Sequence, residues 1–159
     1  MKKVLFVCTG NTCRSIMAEG LFNSSVQKAG DIRLQFIASS AGISAYDGDC
    51  ASTNAFKVLK DWNIDIGYHR SKRINRVDVE NAFIILTMTQ EHKRVLVKEF
   101  PSAVSKAYTL KEYAYQSKGA NNFQADICDP YGGSEEVYRR CAIEIKEAVD
   151  KLVERLTEI

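Results

Sequence analysis

The sequence predicts an α/β chain: a three-layer fold with a central, mostly parallel four-stranded sheet and helices on both faces. Three observations predict it. Short apolar, β-like runs alternate with amphipathic stretches along the chain, a pattern that implies right-handed crossovers and a parallel sheet covered on both sides. The longest apolar run, Ala82–Leu86, has the length and branching of a buried strand rather than of a membrane span. The closing stretch carries Val137, Cys141, Ile145, Val149, Leu152 and Leu156 every three or four residues, the period of a helix with one buried face.

Taken in order, Lys3–Val7 is an apolar run ending in a glycine-containing turn. From Ser15 to about Lys28 the pattern is helical, with Met17, Leu21, Phe22 and Val26 on one side. Leu34–Ser39 reads as the second strand, and Ala51–Trp62 as a helix carrying Ala55, Val58, Leu59 and Trp62. Ala82–Met88 is the third strand, Gln90–Phe100 a helix and Val104–Leu110 the fourth strand, before the closing helix. The two prolines, Pro101 and Pro130, fall at element boundaries. With 159 residues and no repeat, low-complexity tract or linker, the expectation is a single domain over residues 1–159.

Composition narrows the function classes. Hydrophobic residues make up 45% and charged residues 26%, as in ordinary globular proteins. A formal net charge of +2 gives no case for a nucleic-acid partner. Arg70, Lys72, Arg73 and Arg76 cluster, but four such charges read as a solvated face. The apolar segment after Met1-Lys2-Lys3 is shorter than a signal-peptide core and no small-residue cleavage site follows it, so a cytoplasmic location without membrane attachment is expected. Five cysteines (8, 13, 50, 128 and 141), an odd number in a chain that can fold without staples, read as reduced thiols.

In parallel sheets, ligands bind beyond the carboxyl ends of the strands, which directs attention to the turn after Val7. There the chain reads Cys8-Thr9-Gly10-Asn11-Thr12-Cys13-Arg14-Ser15, a cysteine and an arginine with five residues between them, bridging first strand and first helix. A loop of that length can turn successive backbone N–H groups inward as an anion nest, residues 9–14 forming the cradle. The following helix adds the positive end of its dipole. Arg14 supplies a planar fork able to grip two phosphate oxygens. Gly10 and Asn11 tolerate the left-handed backbone a nest requires. Cys8 is placed so that its thiolate, the reactive form, faces the anion. Taken alone, a cysteine and arginine at this spacing would be a buried thiol and a surface charge; their position between strand and helix makes a phosphate-binding loop the better reading.

The segment Val7–Ser15 resembles the signature of the low-molecular-weight protein tyrosine phosphatases. The similarity extends through Ser40-Ala41-Gly42, through Tyr68-His69-Arg70-Ser71, to Met88 and to Asp129-Pro130-Tyr131. It implies a two-step hydrolysis in which Cys8 attacks phosphorus to give a phosphocysteine, while Arg14 and the loop amides hold the oxygens. Asp129 protonates the leaving group and then takes a proton from water, though an Asp before proline can also be a plain turn residue. The resemblance also implies a supporting network of Asn11, Ser15, Ser40 and His69, with Ser15 also a candidate helix cap. It implies no metal and no cofactor; the two histidines are too few for a metal set, and His92 reads as a surface helical residue. The expected partners are phosphorylated proteins or peptides. Cys13 is near enough in sequence to protect Cys8 by a disulfide, or is a small loop residue without that duty. Cys50, Cys128 and Cys141 read as inert packing or loop thiols.

The chain departs from the family pattern in places. Ile16 stands where the signature usually has proline, and Phe83 where relatives commonly carry Asp. Thr12 replaces the Ile or Leu of tyrosine-specific members, and Gly132 follows Tyr131 where eukaryotic members have a second aromatic. These last two resemble the bacterial branch that includes protein-arginine phosphatases, whereas Tyr131 and Tyr46 offer aromatic walls for a phenyl ring. Phosphotyrosine is the first expectation and phosphoarginine the alternative, with Thr12, Tyr46 and Tyr131 as substrate walls. An arsenate reductase would need relay cysteines between Cys50 and Cys128, where there are none, and a phosphopeptide-binding module would be expected to have lost Cys8 or Asp129.

Overall fold

The computed structural model describes residues 1–30, 35–116 and 124–159. Among these, four strands form one parallel sheet in the order β2-β1-β3-β4: β1 Lys2–Cys8, β2 Phe36–Gly42, β3 Ala82–Thr87 and β4 Ala107–Thr109. The helices are α1 Arg14–Lys28, α2 Thr53–Asp61, α3 Arg76–Asn81, α4 Gln90–Glu99, α5 Leu110–Tyr115 and α6 Glu135–Thr157. The expected α/β fold class is therefore what the chain adopts.

β1 is buried on both faces, as its unbroken apolar run requires of a central parallel strand. Val4 and Phe6 join the core under α1, α2 and α6, where Phe6 meets Phe22 edge to face at 5.9 Å. Leu5 and Val7 face the opposite core with Val79, Ile85 and Leu96. The three layers put the carboxyl end of β1 at the centre of the molecule, with α1 starting directly above it. Ile16 is fully buried in the first core, so isoleucine at this position contributes packing that a proline would not.

Most boundaries shift by one to three residues from expectation. β2 runs on through Ser40-Ala41-Gly42, while Leu34 lies outside the described residues. α6 buries Cys141, Ile145, Val149, Leu152 and Leu156 as its period predicts, but Val137 is exposed and Tyr138 takes its place inside. The fourth strand is shorter than expected. Pro101 opens a 3-10 turn, Pro101–Ser105, and the Thr109 hydroxyl already caps α5. The two short helices α3 and α5 have no counterpart in the sequence reading. Each begins with a reciprocal capping box, Asn75 with Asp78 and Thr109 with Glu112, so cap chemistry rather than apolar period sustains them. Phe83 has a structural role: its ring lies 5.8 Å from that of Phe36, with the Lys2 ammonium 4.8 Å from its centroid. No helix of the described residues is long and apolar enough to cross a membrane.

Candidate active site

The loop after β1 is defined by what its carbonyls do. The Ile43 and Ser44 N–H groups donate to the carbonyls of Cys8 and Thr9, each at 2.9 Å. The Ser52 N–H donates to Thr12 O at 2.9 Å and the Met17 N–H to Cys13 O at 3.1 Å. His69 Nε2 donates to Asn11 O at 2.6 Å, since a carbonyl can only accept. These bonds tie the carbonyls of Cys8, Thr9, Asn11, Thr12 and Cys13 to the scaffold and spend none of the loop's own N–H groups, the arrangement an anion nest needs.

Asn11 makes this geometry possible. It holds φ at 57° and is fully buried, the left-handed conformation the sequence reading expected of it. Gly10 does not share that conformation, so Asn11 supplies the bend alone. Its Nδ2 donates to Ser15 Oγ at 2.8 Å and to Ser40 Oγ at 3.0 Å, and its Oδ1 accepts the Lys72 N–H at 3.0 Å. Because Ser15 Oγ accepts from Asn11, its own hydrogen is free for Cys8 Sγ, 2.9 Å away. Ser15 is thus a partner of the Cys8 sulfur and not a cap; the residue preceding α1, Cys13, caps nothing with its side chain. Ser40 in turn donates to buried Glu19 at 2.9 Å, and Tyr68 donates to the other Glu19 oxygen, its hydroxyl pushed up first by burial and then by that carboxylate. At Gly42 an added Cβ would lie 2.6 Å from Thr9 O and 3.0 Å from Asn11 N, so only glycine lets β2 approach the loop this closely.

Cys8, Thr9, Gly10, Thr12, Cys13, Arg14, Asp129 and Tyr131 line a cavity of about 230 Å³ over the loop. Arg14 is buried and fixed on one side, Nη1 donating to Ile127 O at 3.0 Å. The Ile127 N–H is itself bound to Met88 O at 2.9 Å, so the end of β3 carries the segment that holds Asp129 over the cavity. Asp129 Oδ2 lies 3.5 Å from Arg14 Nη2, and its Oδ1 accepts the Tyr131 N–H at 3.1 Å. The turn-residue reading of Asp129 and its position at the cavity are therefore both realised. Cys13 is buried with its sulfur 3.2 Å from Tyr138 Oη; burial, then that thiol, pushes the tyrosine hydroxyl up to about 12. Cys141 is buried and pushed up to about 12, first by desolvation and then by Glu144, which suits an inert packing thiol. Cys50 and Cys128 are exposed.

Two expectations fail here. Tyr46 is 82% exposed and does not line the cavity; its backbone carbonyl accepts from Ser71 Oγ at 2.5 Å, bracing the loop after β2. The aromatic sandwich therefore reduces to Tyr131 alone, itself 81% exposed at the mouth. His92 is not a surface residue. It is 7% exposed, with Nε2 2.9 Å from Thr9 Oγ1, and its imidazole is pushed down to about 4 by burial first and by Arg14 second. The signal was present in the sequence: α4 begins directly after β3, so its first turn must lie at the ligand end of the sheet. The basic cluster stays outside the cavity, with Lys72 paired to Asp78 at 2.6 Å and Arg76 to Glu80 at 3.5 Å.

The family model for low molecular weight phosphotyrosine protein phosphatases matches residues 3–159. A protein-arginine-phosphatase of Geobacillus stearothermophilus is 38% identical over 154 residues, covering 97% of this chain and 95% of that one. A low molecular weight protein-tyrosine-phosphatase of Staphylococcus epidermidis is 31% identical over 150 residues, covering 94% and 96%. Among solved structures, a low molecular weight protein tyrosine phosphatase from T. tengcongensis superposes with a TM-score of 0.87 at 42% identity, covering 98% of this chain and 99% of that one. An arginine phosphatase whose active-site cysteine is replaced by a phosphorylated serine superposes with a TM-score of 0.88 at 35% identity, covering 98% and 95%.

Proposed function

The chain belongs to the low molecular weight phosphotyrosine protein phosphatase family, and from that premise we propose that it dephosphorylates proteins at phosphotyrosine, with Cys8 as nucleophile. The observation that carries the assignment of residues is the cavity floor: a sulfur bonded to Ser15, backed by a loop whose carbonyls are turned outward, with Arg14 and Asp129 beside it. The Cys8 thiolate attacks phosphorus and the bond to the tyrosine oxygen breaks, Asp129 giving that oxygen its proton. Inward amides and the Arg14 guanidinium hold the three equatorial oxygens through the transition state. Water then attacks the phosphocysteine, Asp129 takes its proton, and phosphate leaves with the thiolate restored. The phosphorylated serine in the arginine phosphatase relative supports a covalent step at this position.

A second substrate, phosphoarginine, is favoured by one observation. Thr12 lines the cavity, and Tyr46 does not complete an aromatic slot, so the wall beside the leaving group is more polar and less enclosing than a phenyl ring prefers. Relatives named for each activity stand among those above. The test is hydrolysis of matched phosphotyrosine and phosphoarginine peptides by the same preparation. Phosphotyrosine turnover at a rate equal to or above that of phosphoarginine supports the first reading, and turnover confined to phosphoarginine replaces it with the second.

A further inference from the structure

The phosphatase reading assigns no part to His92, yet this side chain is buried against the cradle. Its Nε2 lies 2.9 Å from Thr9 Oγ1, and Thr9, next to the nucleophile, is exposed and lines the cavity. The other ring nitrogen, Nδ1, is buried without a hydrogen-bond partner among the described residues. That asymmetry fixes the tautomer. With the hydrogen on Nδ1, a buried N–H would be orphaned, which native structures avoid more strictly than an unsatisfied acceptor. With the hydrogen on Nε2, the ring donates to Thr9 Oγ1 and only a lone pair is left unmet. The groups around the ring are Arg14 from α1, Asp126 and Asp129 from the segment before α6, and Glu91 from its own helix. Desolvation and Arg14 together keep the imidazole uncharged, so it can act as a fixed donor at neutral pH.

We propose that His92 is a positioning residue of the phosphate cradle: by donating Nε2–H to Thr9 Oγ1 it turns the threonine hydroxyl hydrogen into the cavity, where it is given to a phosphoryl oxygen above Cys8. A free threonine hydroxyl rotates and offers the cavity either a lone pair or a hydrogen. An anion is helped by the hydrogen and repelled by the lone pair. Occupying one lone pair from behind excludes the rotamer in which the hydrogen points back at the ring, so more of the hydroxyl population donates toward the cavity before substrate arrives, which is preorganisation of a donor. The inference rests on the phosphatase reading only for the identity of the anion.

A double-mutant cycle tests it. Thr9→Val removes the hydroxyl at nearly constant shape. His92→Phe keeps a buried ring without the N–H, and His92→Gln restores an N–H donor. Two quantities are read for each variant: the dissociation constant of inorganic phosphate, and kcat/KM with an aryl phosphate. Each of Thr9→Val and His92→Phe should weaken phosphate and lower kcat/KM about tenfold, the size of one hydrogen bond to a charged group. The double variant should be no worse than either single one, and His92→Gln should return to within about threefold of wild type. Independent effects that multiply to about a hundredfold in the double variant, or a His92→Phe protein within twofold of wild type, would overturn the proposal. Should His92→Phe not fold, His92→Leu, which also lacks the N–H, takes its place in the cycle with the same expected and overturning results. Phosphate affinity decides the role of His92 even if wild type turned over no aryl phosphate, an outcome that would count against the phosphatase reading alone.

Discussion

Replacing Asn11 by alanine should both unfold the cradle and lower the stability of the whole protein, and the structure gives the size. The substitution removes three side-chain hydrogen bonds, to Ser15 Oγ, Ser40 Oγ and the Lys72 N–H, of 2.8, 3.0 and 3.0 Å. Each is worth about 1 kcal/mol net, and the partners left behind, Ser15 and Ser40, are buried. The backbone at φ 57° adds about 1 kcal/mol more for an alanine Cβ. The total is roughly 4 kcal/mol, or a Tm lowered by about 8–16 °C in a chain of this size. Asn11→Gly loses the same three bonds but tolerates the left-handed backbone, so it should melt a few degrees above the alanine variant, even after the extra entropy of glycine in the unfolded chain. Calorimetry reads the stability; aryl phosphate hydrolysis reads the site. Both variants should lose activity by a similar large factor, because Ser15 is no longer turned toward Cys8. An alanine variant melting within 3 °C of wild type, on the scale of ~1 kcal/mol, or a glycine variant melting below it, would refute the argument that Asn11 carries the loop.

The remaining predictions concern the chemistry. Cys8→Ser should abolish turnover while inorganic phosphate still binds, since the loop amides and Arg14 survive; sustained hydrolysis by the pure variant would remove Cys8 as nucleophile. Asp129→Asn should slow substrates with basic leaving groups far more than activated aryl phosphates, and equal slowing of both would reduce Asp129 to its turn, whose bond to the Tyr131 N–H asparagine can keep. Peroxide inactivation should reverse with a dithiol in wild type and less completely in Cys13→Ser, because sulfenylated Cys8 is captured by the Cys13 thiol with loss of water; equal recovery would leave Cys13 to its contact with Tyr138. Thr12→Ile should lower the ratio of phosphoarginine to phosphotyrosine kcat/KM about tenfold or more, and an unmoved ratio would shift discrimination to Tyr131 and Gly132.

How much of this was legible in the sequence depended on the range of the interaction. Local devices were readable: the apolar run of β1, the helical period of α6, and a cysteine–arginine loop at the ligand end of the sheet. Asp129 became readable through its resemblance to a known pattern, since an Asp before proline is otherwise a turn. Two residues were misplaced. His92 was read as a surface helical residue, yet the first turn of α4 lies against the loop that β1 delivers. Tyr46 looked like a wall because it follows Gly42 closely, yet the bond from Ser71 to its carbonyl fixes the backbone while its ring stays in solvent.

The deeper limit is that the cradle is held by groups every residue possesses. Its carbonyls are taken by main-chain N–H donors of Ile43, Ser44, Ser52 and Met17, from the chain beyond β2, the cap of α2 and the first turns of α1. No side-chain identity advertises those bonds, so a signature loop can be recognised while its mould stays unseen. The exceptions are positions where a side chain must stand in for, or give way to, the backbone. His69 replaces a main-chain donor at Asn11 O, and Gly42 gives way so that Thr9 O can approach. A methyl group at position 42 would meet that carbonyl oxygen at 2.6 Å and the Asn11 nitrogen at 3.0 Å, backbone atoms that cannot swing aside. The glycine in Ser40-Ala41-Gly42 is therefore part of the mould that shapes the Cys8–Ser15 loop although it does not line the cavity.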